Sequence, residues 1–224
     1  MITNPSITEY INSLNLPEDP LLYEIEKEAR KEQVPIIRTE MKNLLKVLLQ
    51  IKKPKKVLEV GTAVGFSALF MSRYLEPGAT ITTIERYEPR IQTAKENFKK
   101  ADDKKCITLL EGDAAEILKS LNESYDFIFM DAAKGQYIHF LPDILRLLKE
   151  DGLLISDNAL QEGELVKSRY AVTRRNRTIH SRMREYLYRI THMEELSTVI
   201  LPLGDGVTVS LRKVETKRCE SLNY

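Results

Sequence analysis

KKVLEVGTAVGFSALF, residues 55–70, joins a short apolar run to a turn containing two glycines and then to a stretch with helical spacing. Gly61 and Gly65 let the backbone turn sharply and let a ligand come close. The same grammar repeats downstream, where the apolar runs ITTIE, ITLLEGD, YDFIFMD and GLLISDN alternate with periodic stretches over 65–75, 89–100, 114–121 and 136–148. Parallel strands need crossover connections, so this alternation predicts an α/β fold: a Rossmann-like, mostly parallel sheet with helices on both faces. STVILPL and VTVSLRK, joined by Gly204-Asp205-Gly206, read as a hairpin that ends the sheet with an antiparallel strand. Upstream, helical spacing over 21–33 and 39–51, interrupted by Pro35, predicts a helical preface, and a long helix is expected over about 162–193.

The chain has 224 residues, 42% of them hydrophobic and 30% charged, which is too charged for a membrane protein and too apolar for a disordered one. Without repeats or a Gly/Ser/Pro linker, a single domain is expected: preface 1–52, core 53–213 and tail 214–224. Cys106 and Cys219 are isolated from each other and from any His at ligand spacing, so a reduced, cytoplasmic setting is expected. MITNPSITEYINSLNLPEDP carries acids and prolines where a signal peptide needs a basic start and an apolar core. No membrane association is expected.

Ligands of an open parallel sheet bind beyond the carboxyl ends of its strands. The first strand ends in Glu59-Val60-Gly61-Thr62-Ala63-Val64-Gly65, and Ala63 stands where a dinucleotide fold places its middle glycine, which disfavours NAD. Glu85, ending the second run, can accept hydrogen bonds from both hydroxyls of a ribose or lie outside the following helix as a cap. Asp113 can meet an adenine amine or cap its own helix. Asp131, Asp157 and Asn158 end the fourth and fifth runs. Two carboxylates and an amide at neighbouring strand ends suit a hard cation, Mg²⁺ or Ca²⁺, better than zinc or copper. Lys134, three residues past Asp131, can act there as a proton acceptor or as a cation facing an anionic substrate.

Together VLEVGTAVGFSA, TIERYEPR, EGDAAE, MDAAKGQY, SDNAL and LPLGDGVTVS resemble the cation-dependent O-methyltransferases, the class I methyltransferases that include the catechol and caffeoyl-CoA enzymes. The likeness runs from about 34 to 213, and within it VPI, DAAKGQY, DN and GDG look closest to the bacterial tRNA 5-hydroxyuridine methyltransferases. The resemblance implies methyl transfer from S-adenosylmethionine with Mg²⁺, and a homodimer. It implies that Ile37, Glu59, Gly61, Ala63 and Ser67 surround the methionine part of the cofactor. On the same grounds Glu85 holds the ribose, Asp113 or Ala114 meets the adenine, and Asp131 lies where cofactor and metal meet. Asp131, Asp157 and Asn158 match the metal ligands and Lys134 the catalytic base, with Asp131 sharing in the catalysis. Ala133 replaces an aromatic residue found in the catechol enzymes, which puts a catechol-shaped wall in doubt.

The net charge of +1 hides a segregation. Lys167, Arg169, Arg174, Arg175, Arg177, Arg182, Arg184 and Arg189 lie in one segment with a single acid, Glu185, while the rest of the chain holds 26 basic against 32 acidic residues. Cations at this density, interleaved with Tyr170, Tyr186 and Tyr188, suit phosphate contact and stacking on an unpaired base. The expected substrate is therefore tRNA at its anticodon loop, bound through the first seven of those cations. A small phenol, catechol or CoA ester is the alternative, and an inactive RNA-binding module a third reading. Leu and Tyr positions around Tyr186 and Tyr188 offer self-complementary surface for the dimer.

Overall fold

The computed structural model describes residues 4–16 and 19–215, apart from the side chain of Glu162, so the tail expected beyond 213, with Cys219, lies almost wholly outside the described residues. Three helices, α1 (Pro5–Ser13), α2 (Pro20–Lys31) and α3 (Thr39–Lys52), precede the sheet. Strand and helix then alternate through β1 (Lys56–Val60), α4 (Phe66–Arg73), β2 (Thr80–Glu85), α5 (Glu88–Ala101) and β3 (Ile107–Glu111). The series continues with α6 (Ala114–Ser120), β4 (Tyr125–Met130), α7 (Tyr137–Leu147) and β5 (Leu148–Ser156). It closes with α8 (Arg177–His192), β6 (Leu196–Leu201) and β7 (Val207–Arg212). The strand order is β3-β2-β1-β4-β5-β7-β6, parallel from β3 through β5 and antiparallel at β7 and β6. The expected mixed sheet is present, with the hairpin's second strand inserted beside β5.

Alternation along each strand sends its residues to two separate cores. Val57, Ile81, Phe127, Phe129 and Ile155 pack with the preface helices and α4, whereas Leu58, Val60, Ile84, Ile128, Met130 and Leu154 pack under α7 and α8. Helices on both faces explain why these runs are apolar throughout. The sequence reading missed α1, which buries no residue of its own. Its signal was the cap, where the Asn4 side chain accepts from Ser6 N and Pro5 opens the first turn.

The long helix expected over 162–193 is corrected to three short 3-10 turns, Gln161–Val166, Arg169–Ala171 and Arg174–Asn176, followed by α8. Gly163 has φ +86°, and the adjacent pairs Lys167–Ser168 and Val172–Thr173 have ψ between 143° and 156°, extended values that interrupt a helix at two places. Val172 is buried where a continuous helix would have turned it with its charged neighbours.

Among the described residues, no helix is long and apolar enough to cross a membrane.

Candidate active site

Backbone hydrogen bonds bring the strand ends into one row. Asp131 N donates to Val60 O at 3.0 Å, Asp157 N to Met130 O at 2.9 Å, Gly61 N to Ile84 O at 3.1 Å and Gly112 N to Glu85 O at 2.8 Å. Beyond this row lies a cavity of about 830 Å³ lined by Ile37, Gly61, Ala63, Ser67, Glu85, Asp113, Ala114, Asp131, Lys134 and Asn158, with Thr62, Tyr87 and Phe140 among its other walls. A smaller cavity of about 320 Å³ on the preface side shares Asp131 and Asn158 and adds Asp157, Arg38 and Asp205.

The loop after β1 is shaped by its glycine. Gly61 has φ +107°, and a Cβ placed there would lie 2.1 Å from the carbonyl oxygen of Asp131. Only a residue without a side chain lets the β1 loop pass this close to the β4 end. Glu85 fastens the loop: its Oε2 accepts from Ala63 N at 2.9 Å, while Oε1 accepts from the amides of Arg86 and Tyr87, also at 2.9 Å. Asp113 caps α6 by accepting from Ala115 N at 2.8 Å and pairs with Arg86 at 3.1 Å, so the capping role is realised at the cavity wall.

Glu59 is absent from the cavity wall and fully buried beneath the loop, bonded to Thr83, with Oε1 left without a partner. Burial, opposed by the Ser67 and Thr83 hydroxyls, pushes its carboxyl from the ordinary 4.5 up to about 8. The folded state thus holds a proton that the unfolded chain releases near 4.5. This contribution to stability is undiminished below that pH, falls as pH rises towards about 8, and is level above it. Glu59→Gln is expected to remove the fall: its stability against urea should exceed that of the parent protein by a few kcal/mol above pH 8 and match it near pH 4.5. Parallel pH profiles for the two proteins would refute this.

Asp131, Asp157 and Asn158 converge at the ends of β4 and β5. Asn158 Nδ2 donates to Asp131 Oδ1 at 3.3 Å, and Asn158 N to Asp157 Oδ1 at 2.7 Å, with Asn158 held at φ +56°. Burial raises Asp131 to about 6 against the Asn158 bond and the Lys134 charge; burial and then the Asp131 charge raise Asp157 to about 7. Two crowded carboxylates that the Lys134 charge offsets only in part are the chemistry a divalent cation satisfies. No cluster of three or more His, Cys, Asp or Glu side chains suited to a metal occurs among the described residues, so Asn158 is needed to complete this donor set. Its fit is to a hard, oxygen-bound ion.

A turn that approaches without side chains, an acid at the second strand end and an oxygen donor set at the fourth and fifth form one continuous site. The sequence model of the O-methyltransferase family matches residues 12–213. The chain belongs to that family. Among curated relatives it is 30% identical over 182 residues to the O-methyltransferase ankF of Aspergillus thermomutatus, covering 74% of each chain. It is 29% identical over 168 residues to a catechol O-methyltransferase of Niastella koreensis, covering 72% of this chain and 76% of that one. The fold is shared with the Bacillus cereus O-methyltransferase solved with SAH, at TM-score 0.82 and 23% identity, covering 93% of this chain and 97% of that one. By class the protein is an O-methyltransferase.

In this O-methyltransferase the expected RNA-facing cations divide in two. Lys167, Arg169, Arg174 and Arg175 are exposed, whereas the half-buried Arg177 and Arg182 and the exposed Arg184 donate to the carbonyls of Val172, Gly135 and Leu165. Tyr170 is exposed and Tyr188 stacks on His192 with centroids 4.0 Å apart, but Tyr186 is fully buried. The expectation that Tyr186 stacks on a base or joins a dimer surface is therefore corrected: its hydroxyl meets Ser156 at 2.5 Å inside the core. Sequence reasoning also missed Arg38 and Asp205, which pair at 3.0 Å across 167 positions, a separation at which no local pattern links them. Tyr87 was legible only as part of TIERYEPR.

Proposed function

We propose that this enzyme methylates a hydroxyl on an unpaired RNA base, namely 5-hydroxyuridine at the tRNA wobble position, giving 5-methoxyuridine. The supporting observation is the bond from Arg182 Nη1 to Gly135 O at 3.2 Å, which seats the basic segment on the loop that carries Lys134. Phosphates held by Lys167, Arg169, Arg174 and Arg175 would then lie beside the cavity that receives the base.

In this proposal S-adenosylmethionine occupies the larger cavity. The loop of Gly61, Thr62 and Ala63 admits its methionine part, and the unpartnered Glu59 oxygen below that loop suits a nearby ammonium group. Glu85 is already committed to Ala63 by one oxygen, and a carboxylate oxygen has a second lone pair with which to meet a ribose hydroxyl. Asp131, Asp157 and Asn158 hold the divalent cation, which supplies electrostatic stabilisation to an ionising hydroxyl. Lys134, on the cavity wall, accepts the proton or faces the resulting anion. Ile37 and Phe140 wall the cavity with apolar surface and keep bulk water from the methyl group.

The Niastella koreensis relative favours a second reading, a small catechol or related phenol as substrate. An assay with tritiated S-adenosylmethionine separates the two. Label is expected in tRNA that carries 5-hydroxyuridine and not in tRNA that lacks it, and charge reversal at Arg174 and Arg175 should reduce incorporation by about tenfold or more at moderate salt. Label that enters phenols alone would replace the RNA reading with the second.

A further inference from the structure

Tyr137 opens α7 three residues after Lys134 and is fully buried. Its hydroxyl lies 3.1 Å from Met130 O and 3.1 Å from Asp157 O. One hydroxyl therefore meets the main chain at Met130, the residue before Asp131, and at Asp157 itself. A phenol has a single proton, which the two carbonyls share. Met130 O also accepts from Asp157 N at 2.9 Å, so the hydroxyl braces the last rung between β4 and β5.

Tyr186, from α8, packs edge-on against this ring with centroids 5.5 Å apart at 76°, and its own hydroxyl meets Ser156. The two tyrosines do different work. Tyr186 supports the ring of Tyr137 and the interior of β5, whereas the Tyr137 hydroxyl bonds to Asp157 and to Met130, the residue from which the chain runs on to Asp131.

We propose that Tyr137 is the positioning residue of the divalent-cation seat, its hydroxyl holding the ends of β4 and β5 at the separation where Asp131, Asp157 and Asn158 share one ion. The two carboxylates repel each other, and that repulsion acts to part the strand ends. A neutral hydroxyl opposes it without adding a counter-charge that would compete with the cation. This inference rests on the reading of those three residues as a cation site.

The test is Mn²⁺ binding by calorimetry to the full-length protein with S-adenosylmethionine present, comparing Tyr137→Phe with Tyr186→Phe. Tyr137→Phe is expected to weaken Mn²⁺ binding by about 10- to 100-fold while S-adenosylmethionine affinity stays within about twofold. In turnover, the Mg²⁺ concentration for half-maximal rate should rise with kcat at saturating Mg²⁺ largely retained. Tyr186→Phe should lower the melting temperature yet leave Mn²⁺ affinity within about twofold, because its hydroxyl does not touch the ligand residues. As a variant that keeps donors against both carbonyls, 4-aminophenylalanine at position 137 should bind Mn²⁺ within about threefold of the parent, whether or not Tyr137→Phe folds. Unaltered Mn²⁺ affinity in Tyr137→Phe, equal weakening by Tyr186→Phe, or weak binding by the folded 4-aminophenylalanine protein would each overturn the proposal. Absence of Mn²⁺ binding by the parent protein would instead remove the cation site itself.

Discussion

Asp131→Asn is expected to lower kcat/KM for methyl transfer by about 10³-fold or more at saturating Mg²⁺, while the melting temperature holds or rises. Asp131, like Asn158, lines both cavities, and in the proposed function it lies between the cofactor and the cation. Replacing its charge by an amide of the same shape leaves the backbone bond to Val60 in place, so the loss falls on charge rather than on folding. The folded chain already resists ionising this acid, whose carboxyl burial lifts to about 6. Removing the charge also relieves Asp157, which the Asp131 charge helps push up to about 7. A structural acid would behave in the opposite way, with stability falling and activity following it. The deciding measurements are steady-state kinetics across a Mg²⁺ series and thermal melting of the same preparation; activity within about tenfold of the parent would remove Asp131 from the reaction.

How much of this was legible beforehand depended on whether a signal was local. The strands could be read because both sheet faces are covered, so Phe127, Ile128, Phe129 and Met130 had to be apolar in succession. Glu85, Asp131, Asp157 and Asn158 were visible because a parallel sheet puts all its strand ends on one edge, which turns a position in sequence into a position in space. The basic segment misled for the complementary reason. Its composition suggested one continuous charged helix, but Val172, His180, Met183 and Tyr186 are buried, and three of its arginines satisfy carbonyls of the protein. Charge counting sees none of those pairings. The Arg38–Asp205 pair and the two bonds of the Tyr137 hydroxyl likewise join residues that only the finished fold brings together.

Gly61→Ala separates a loop that merely turns from one that must pass against another strand. At φ +107° an added methyl carries the strain of left-handed backbone, and it would also stand 2.1 Å from the Asp131 carbonyl oxygen and 2.9 Å from its carbonyl carbon. Neither neighbour is the end of a flexible side chain, so relief requires β1 and β4 to part where the site is assembled. Gly78 supplies the control, since its φ is +84° with nothing within 4 Å of the position a Cβ would take. Gly78→Ala should therefore cost only the backbone term, about 1 kcal/mol. Gly61→Ala should cost about 3 kcal/mol or more, which for a chain of this size is a fall in melting temperature of roughly 6–12 °C. Its affinity for S-adenosylmethionine should fall by about 100-fold or more, because Ala63 and Glu85 lose their register when the loop moves. Similar melting temperatures for the two variants would mean that the close approach of Gly61 to Asp131 does not constrain the site.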